Sequence, residues 1–120
     1  MISKNKIKLL RSLKLKKYRE QHQSTLLEGL RLIDESINFN ADIKSIWMTD
    51  ESMNNHQNFV NKIKMKNIEF DIIDNKDLRL ISDTNHSQGM IAEINISKYS
   101  NQKFSAVLNN NIVILDNISD

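Results

Sequence analysis

The sequence predicts an α/β sandwich built on one sheet. Short apolar runs with strand character alternate along the chain with stretches whose apolar residues recur at helical spacing. The connections between these runs are short enough for a single sheet, and 120 residues leave room for one domain and a tail.

Each element has a local reason. Ile7, Leu10 and Leu13 recur at helical spacing beside Leu9, with Ser3 placed to cap them, which predicts a helix over 4–14. "KLKKYREQHQS" reads as a polar, partly helical connection, and "TLLEG" (Thr25 to Gly29) as a short strand running into a helix. In that helix Leu30, Ile33 and Ile37 share one face, while Arg31, Asp34 and Glu35 look outward. "IKSIWMTD" (Ile43 to Asp50) has the β-forming bulk of a strand. Asp50 or Ser52 is expected to cap one helix over "MNNHQNFVNKIKMKN", with Phe59, Val60 and Ile63 as its stripe.

"IEFDII" alternates at Ile68, Phe70 and Ile72 and predicts a strand. "NKDLRLIS" predicts a short helix capped near Asp74 or Asn75, and "SDTNHSQG" a loop. "MIAEINIS" alternates at Met90, Ala92, Ile94 and Ile96. A polar stretch from Lys98 to Lys103 reads as a linker, "FSAVL" as a helical turn, and "IVILD" as a strand buried on both faces.

Composition excludes several functions. With no cysteine the chain has no disulfide, thiolate metal site or cysteine nucleophile, and the expected compartment is the cytosol. Two glycines and no proline leave no Gly-rich loop to cradle a phosphate. No run is long enough to span a bilayer, and "MISKNKIKLL" lacks the apolar stretch and cleavage site of a signal peptide. His22, His56 and His86 fit no metal-binding spacing, no Gly-x-Ser-x-Gly elbow surrounds a serine, and Asp34 and Glu35 fall on a solvated helix face.

Net charge is only +2, from 17 basic and 15 acidic residues, but it is unevenly spread. Lys4, Lys6, Lys8, Arg11, Lys14, Lys16, Lys17 and Arg19 all precede the first acidic residue, Glu20. Such an arm suits a phosphate backbone, with Tyr18 inside "KKYR" as a stacking face; it equally suits a merely soluble amphipathic helix. In "TNHSQGMIA", Asn85, His86 and Gln88 gather donors and acceptors before Gly89, in a stretch that also reads as a plain turn.

Three stretches, in order, resemble the N-terminal half of SpoU-type RNA 2′-O-ribose methyltransferases of the SPOUT superfamily: "LKLKKYREQHQSTLLEGLRLIDES", "LISDTNHSQGMIAEI" and "IVILDNISD". The family's Lys-x-Arg block with Φ-Leu-x-Glu-Gly (Φ apolar) appears as Lys17, Arg19, then Leu26, Leu27, Glu28 and Gly29, with Thr25 in place of the usual aromatic. Its Gln-Gly-Φ-Φ-Ala block appears as Gln88, Gly89, Met90, Ile91 and Ala92.

The resemblance implies a three-layer α/β/α sandwich, shared with some ribosomal proteins, ahead of a knotted catalytic domain. It implies an RNA substrate-binding domain over 1–97, a linker over 98–110, and at 111–120 the first strand of the catalytic domain. In the family that strand leads into a Pro-Gly-Asn-x-Gly motif which, with later ones, binds S-adenosylmethionine. Asp120 stands just before that proline, so this chain is expected to hold no catalytic, cofactor-binding or metal residue and to be inactive alone. Dimerisation is expected through the catalytic domain only.

RNA, ribosomal or transfer, is the implied partner, with Arg11, Lys14, Lys17, Arg19, His86 and Gln88 expected at the contact. Two other readings stand beside this one: an active methyltransferase whose sequence is incomplete or frameshifted, and a free-standing RNA-binding module.

Overall fold

The computed structural model describes residues 1–82 and 84–97, with Thr84 and His86 described by their backbone alone. Helix α1 (Lys4–Ser12) begins where Ser3 Oγ accepts the Lys6 N–H at 3.0 Å, and it turns Ile7 and Leu10 inward. It stops two residues short of the expected end, because the Leu13 N–H closes a tight turn on Leu10 O at 3.2 Å. The polar connection is a full helix, α2 (Lys16–His22), which ends on Gln23 with a left-handed φ of 53°. Strand β1 (Ser24–Glu28), helix α3 (Leu30–Asn38) and strand β2 (Asp42–Met48) follow as expected, with Ile33 and Ile37 buried along α3.

The single helix expected next is two: α4 (Asp50–Asn55) and α5 (Gln57–Met65). Thr49, rather than Asp50 or Ser52, is the cap, its hydroxyl accepting the Ser52 N–H at 3.1 Å. The break falls at His56 (φ −130°, ψ 51°), just after Asn54 and Asn55, whose short amides favour non-helical backbone. Phe59, Val60 and Ile63 still form the buried stripe of α5.

Strand β3 (Phe70–Ile72) is shorter than its alternating sequence suggests, and Ile72 is exposed. Among the described residues it is an edge strand that pairs only with β2; at its end the Ile73 N–H bonds Met48 O at 2.9 Å and the Ile73 side chain turns inward. Asp74 caps α6 (Asn75–Ile81) by accepting the Asp77 N–H at 2.8 Å. The expected loop then contains one helical turn, α7 (Thr84–Ser87), before β4 (Met90–Asn95).

The strands lie in the order β1-β4-β2-β3, with β4 antiparallel to both neighbours and β2 parallel to β3. Helices cover both faces, giving the expected three layers. On one face Ile7, Leu10 and Leu13 join Leu78 and Ile81 of α6 against Leu26, Trp47 and Ile91. On the other, Ile33, Ile37, Phe59, Val60 and Ile63 pack on Leu27, Ile46, Met48, Met90, Ala92 and Ile94. The alternation read at Met90, Ala92 and Ile94 is thus real, but Ile91 and Glu93 between them are buried too, because β4 is a middle strand covered twice. The linker, the "FSAVL" turn and the "IVILD" strand read from the sequence lie outside the described residues.

Glu93 is 1% exposed on the α1 face of β4, paired across the sheet with Leu26 and Ser45. A buried carboxylate demands a cation. Lys6 of α1 supplies one, with Nζ 2.6 Å from Oε1, and Lys44 Nζ lies 3.7 Å from Oε2 while donating to Ser24 Oγ at 2.7 Å. Lys6→Met is expected to destabilise the fold by about 2–3 kcal/mol, toward the low side for a broken buried pair because Lys44 remains. Adding Glu93→Met should return part of that loss, as removing both charges removes the desolvation cost; urea denaturation of the single and double variants checks both.

Candidate nucleic-acid interface

The basic arm folds into an elbow, α1 and α2 joined through Leu13 to Leu15. Its charges divide by position. Lys6 is committed to Glu93. Arg19, expected at the RNA contact, is instead buried at 5% exposure. Its Nη1 donates to Leu13 O at 2.8 Å and to Lys14 O at 2.9 Å, the carbonyls of the α1 C-cap and of the turn that follows it. Nε has no partner among the described residues. Burial lowers the Arg19 guanidinium from its ordinary pKa, with the neighbouring Glu20 opposing the shift. Arginine suits this place because its fork reaches two acceptors at once and holds its proton under burial.

Lys4, Lys8, Arg11, Lys14 and Lys17 are exposed on the same elbow, and none is ion-paired among the described residues. Three of the expected contact residues, Arg11, Lys14 and Lys17, therefore stand exposed on one elbow with no ion pair among the described residues. The signal that separates Arg19 from them is faint: it is the arginine that follows a polar turn by about one helical turn, where an α1 carbonyl needs a donor.

The second expected contact region stands apart. Gln23, at the exit of α2, adjoins one end of β1, where Gln23 O accepts the Ile96 N–H at 2.9 Å. The Gln88–Gly89 turn adjoins the other, where the Gly29 N–H donates to Met90 O at 2.9 Å. Gln88 is exposed with a left-handed φ of 51°; His86 lies in α7, and its side chain is outside the described residues. Gly89 (φ 81°) is wedged in place: a Cβ there would meet Thr49 Oγ1 at 2.8 Å and Ser52 Cβ at 3.0 Å. Gly89 O also accepts the Thr49 N–H at 3.0 Å. The Ser82 hydroxyl donates to Glu28 Oε1 beside the same turn.

No three His, Asp or Glu side chains among the described residues gather as a metal site, and no described helix is long and apolar enough to cross a membrane. S-adenosylmethionine, which the resemblance implies for a complete enzyme, does not fit the glycines present. The close packing at Gly89 and the burial of Gly29 leave no open backbone cradle.

Solved structures share this architecture. A protein described as an RNA methyltransferase of the TrmH family, from Porphyromonas gingivalis, superposes with a TM-score of 0.62 at 25% identity, over 83% of this chain and 38% of its own. An RNA 2′-O ribose methyltransferase gives 0.65 at 17% identity, over 82% and 37%. An AdoMet-bound rRNA methyltransferase from Sinorhizobium meliloti gives 0.60 at 20% identity, over 83% and 37%. The chain spans less than two fifths of each of these proteins. No curated protein matches the sequence.

The fold is thus that of the smaller α/β/α part of SpoU-like RNA methyltransferases. More closely, the sequence profile of the MRM3-like substrate binding domain matches residues 4–92, and the chain belongs to that family. The resemblance carried by the first two sequence blocks is borne out; "IVILDNISD" lies beyond the matched residues.

Arg19→Met should cost about 1.5–3 kcal/mol in urea denaturation followed by Trp47 fluorescence, with Arg19→Lys recovering little of it. Gly89→Ala should cost about 2–3 kcal/mol in the same assay, from its positive φ and the contact with Thr49.

Proposed function

We propose that this chain is the RNA-recognising part of a SpoU-type RNA 2′-O-ribose methyltransferase. It holds a structured RNA, ribosomal or transfer, for a catalytic domain that binds S-adenosylmethionine and through which the enzyme dimerises, in the cytoplasm. The observation that carries this reading is the elbow on which Arg11, Lys14 and Lys17 stand exposed and unpaired, stiffened from within by Arg19. Each such cation placed on a phosphate releases a counterion, so the elbow supplies affinity that depends on salt and little on sequence. Family membership and the methyltransferase neighbours support the same partner. Gln88, on its separate turn, adds a second contact at the far end of β1.

Lys14→Glu with Lys17→Glu is expected to weaken binding of a structured RNA on the order of tenfold and to flatten the dependence of log affinity on log salt by roughly 0.7–0.9 per lost contact. Fluorescence anisotropy at two salt concentrations reads both. Absence of binding by the unaltered chain at low salt, or an unchanged affinity in the double variant, would sink the reading.

A further inference from the structure

Between α1 and α2 lies an open cleft of about 350 Å³, lined by Asn5, Lys8, Leu9, Ser12, Tyr18 and His22. Its lining is largely apolar although it opens between two of the most basic helices in the chain. Tyr18 and His22, one turn apart on α2, hold their rings within 19° of parallel at 6.5 Å between centroids. Lys17 Nζ stands 4.9 Å from the Tyr18 ring centroid. The two walls keep their relation because Arg19, on the inner side of α2, is bonded to the end of α1.

A largely apolar cleft with an aromatic wall, Lys8 in its lining and Lys17 beside the Tyr18 ring matches one occupant chemically. Single-stranded nucleic acids are held by stacking a base on an aromatic face while the flanking phosphates meet lysine and arginine. We infer that the α1–α2 cleft receives one unpaired base of the bound RNA, stacked on Tyr18, with Lys8 and Lys17 meeting the phosphates on either side. This rests on the RNA contact proposed above and sharpens it: the elbow selects a bulge, loop or strand end over a continuous duplex. A paired base is committed to its own stack and cannot enter.

The test uses the 120-residue chain with a short single-stranded RNA carrying one 2-aminopurine, and the blunt duplex of the same sequence. Stacking on Tyr18 should quench the 2-aminopurine in the single strand and leave it unchanged in the duplex. Tyr18→Ala should abolish the quenching and weaken single-strand binding about five- to tenfold while moving duplex binding less than twofold. Tyr18→Phe, which keeps the ring, should behave as the unaltered protein. Circular dichroism and melting identify any variant that has lost its fold, and Tyr18→Phe keeps the question answerable if Tyr18→Ala has.

Salt-dependent RNA binding with no quenching, equal in Tyr18→Ala, overturns the base cleft and leaves the phosphate contact standing. A lowered melting temperature with unchanged RNA affinity also overturns it, marking the cleft as packing for another segment. No RNA binding by the unaltered chain overturns both readings.

Discussion

A carboxylate in the middle of the sheet sets the terms for the rest of the molecule. Glu93 sits on β4, the last strand in the described sequence and a central one in the sheet, where it is almost wholly buried. Left alone there it would be an unpaired buried charge, which a core does not tolerate. Lys6 is the nearest cation and belongs to the first helix, so the pair joins the two ends of the domain. Helix α1 cannot leave without exposing Ile7, Leu10 and Ile91 and removing the closer of the two cations on Glu93. Where α1 lies, and hence which way its remaining basic residues face, follows from a residue more than eighty positions away.

The same logic repeats at the elbow. Arg19 goes inward to bind two carbonyls, and because it does, α1 and α2 meet at a fixed angle. The basic arm thus contains two populations of charge. Lys6 and Arg19 are structural, the first half-buried and the second buried; Lys4, Lys8, Arg11, Lys14 and Lys17 are solvated and available. Only the second group can release counterions on meeting a polyanion, so the count of basic residues overstates the electrostatic contact.

That division was not legible in the sequence, where all eight cations form one run. Hydropathy periodicity reports which face of an element is apolar, and it placed the strands and most helices, because burial of those faces is what folds them. It reports nothing about long-range charge pairing, which is why Glu93 read as the polar half of an alternating strand and Arg19 as another exposed base. The break at His56 was missed because the stripe of Phe59, Val60 and Ile63 continues a plausible helical pattern across two asparagines. Ile72 and Ile73 exchanged roles because β3 ends at Ile72, so the strand alternation does not carry on to Ile73, which turns inward just before the α6 cap at Asp74. Of the candidate site, Arg11, Lys14 and Lys17 were readable from charge alone. The cleft beside them was not, since it needs two helices that the sequence showed as one helix and a connection.

The blocks that identify the family meet in space, and their meeting is structural. Gly29 closes on Met90, Gly89 on Thr49, and Glu28 on Ser82, so Leu-x-Glu-Gly and Gln-Gly-Φ-Φ-Ala are two halves of one joint between β1, β4 and the start of α4. Residues so used have little freedom: a side chain at Gly89 has nowhere to go. They mark the fold well for that reason, and for the same reason they carry little information about a partner. Selectivity must reside where side chains are solvated and replaceable without cost to the core. The proposed contact on the outer surface of the α1–α2 elbow, held in place by Glu93 and Arg19 from beneath, meets that condition.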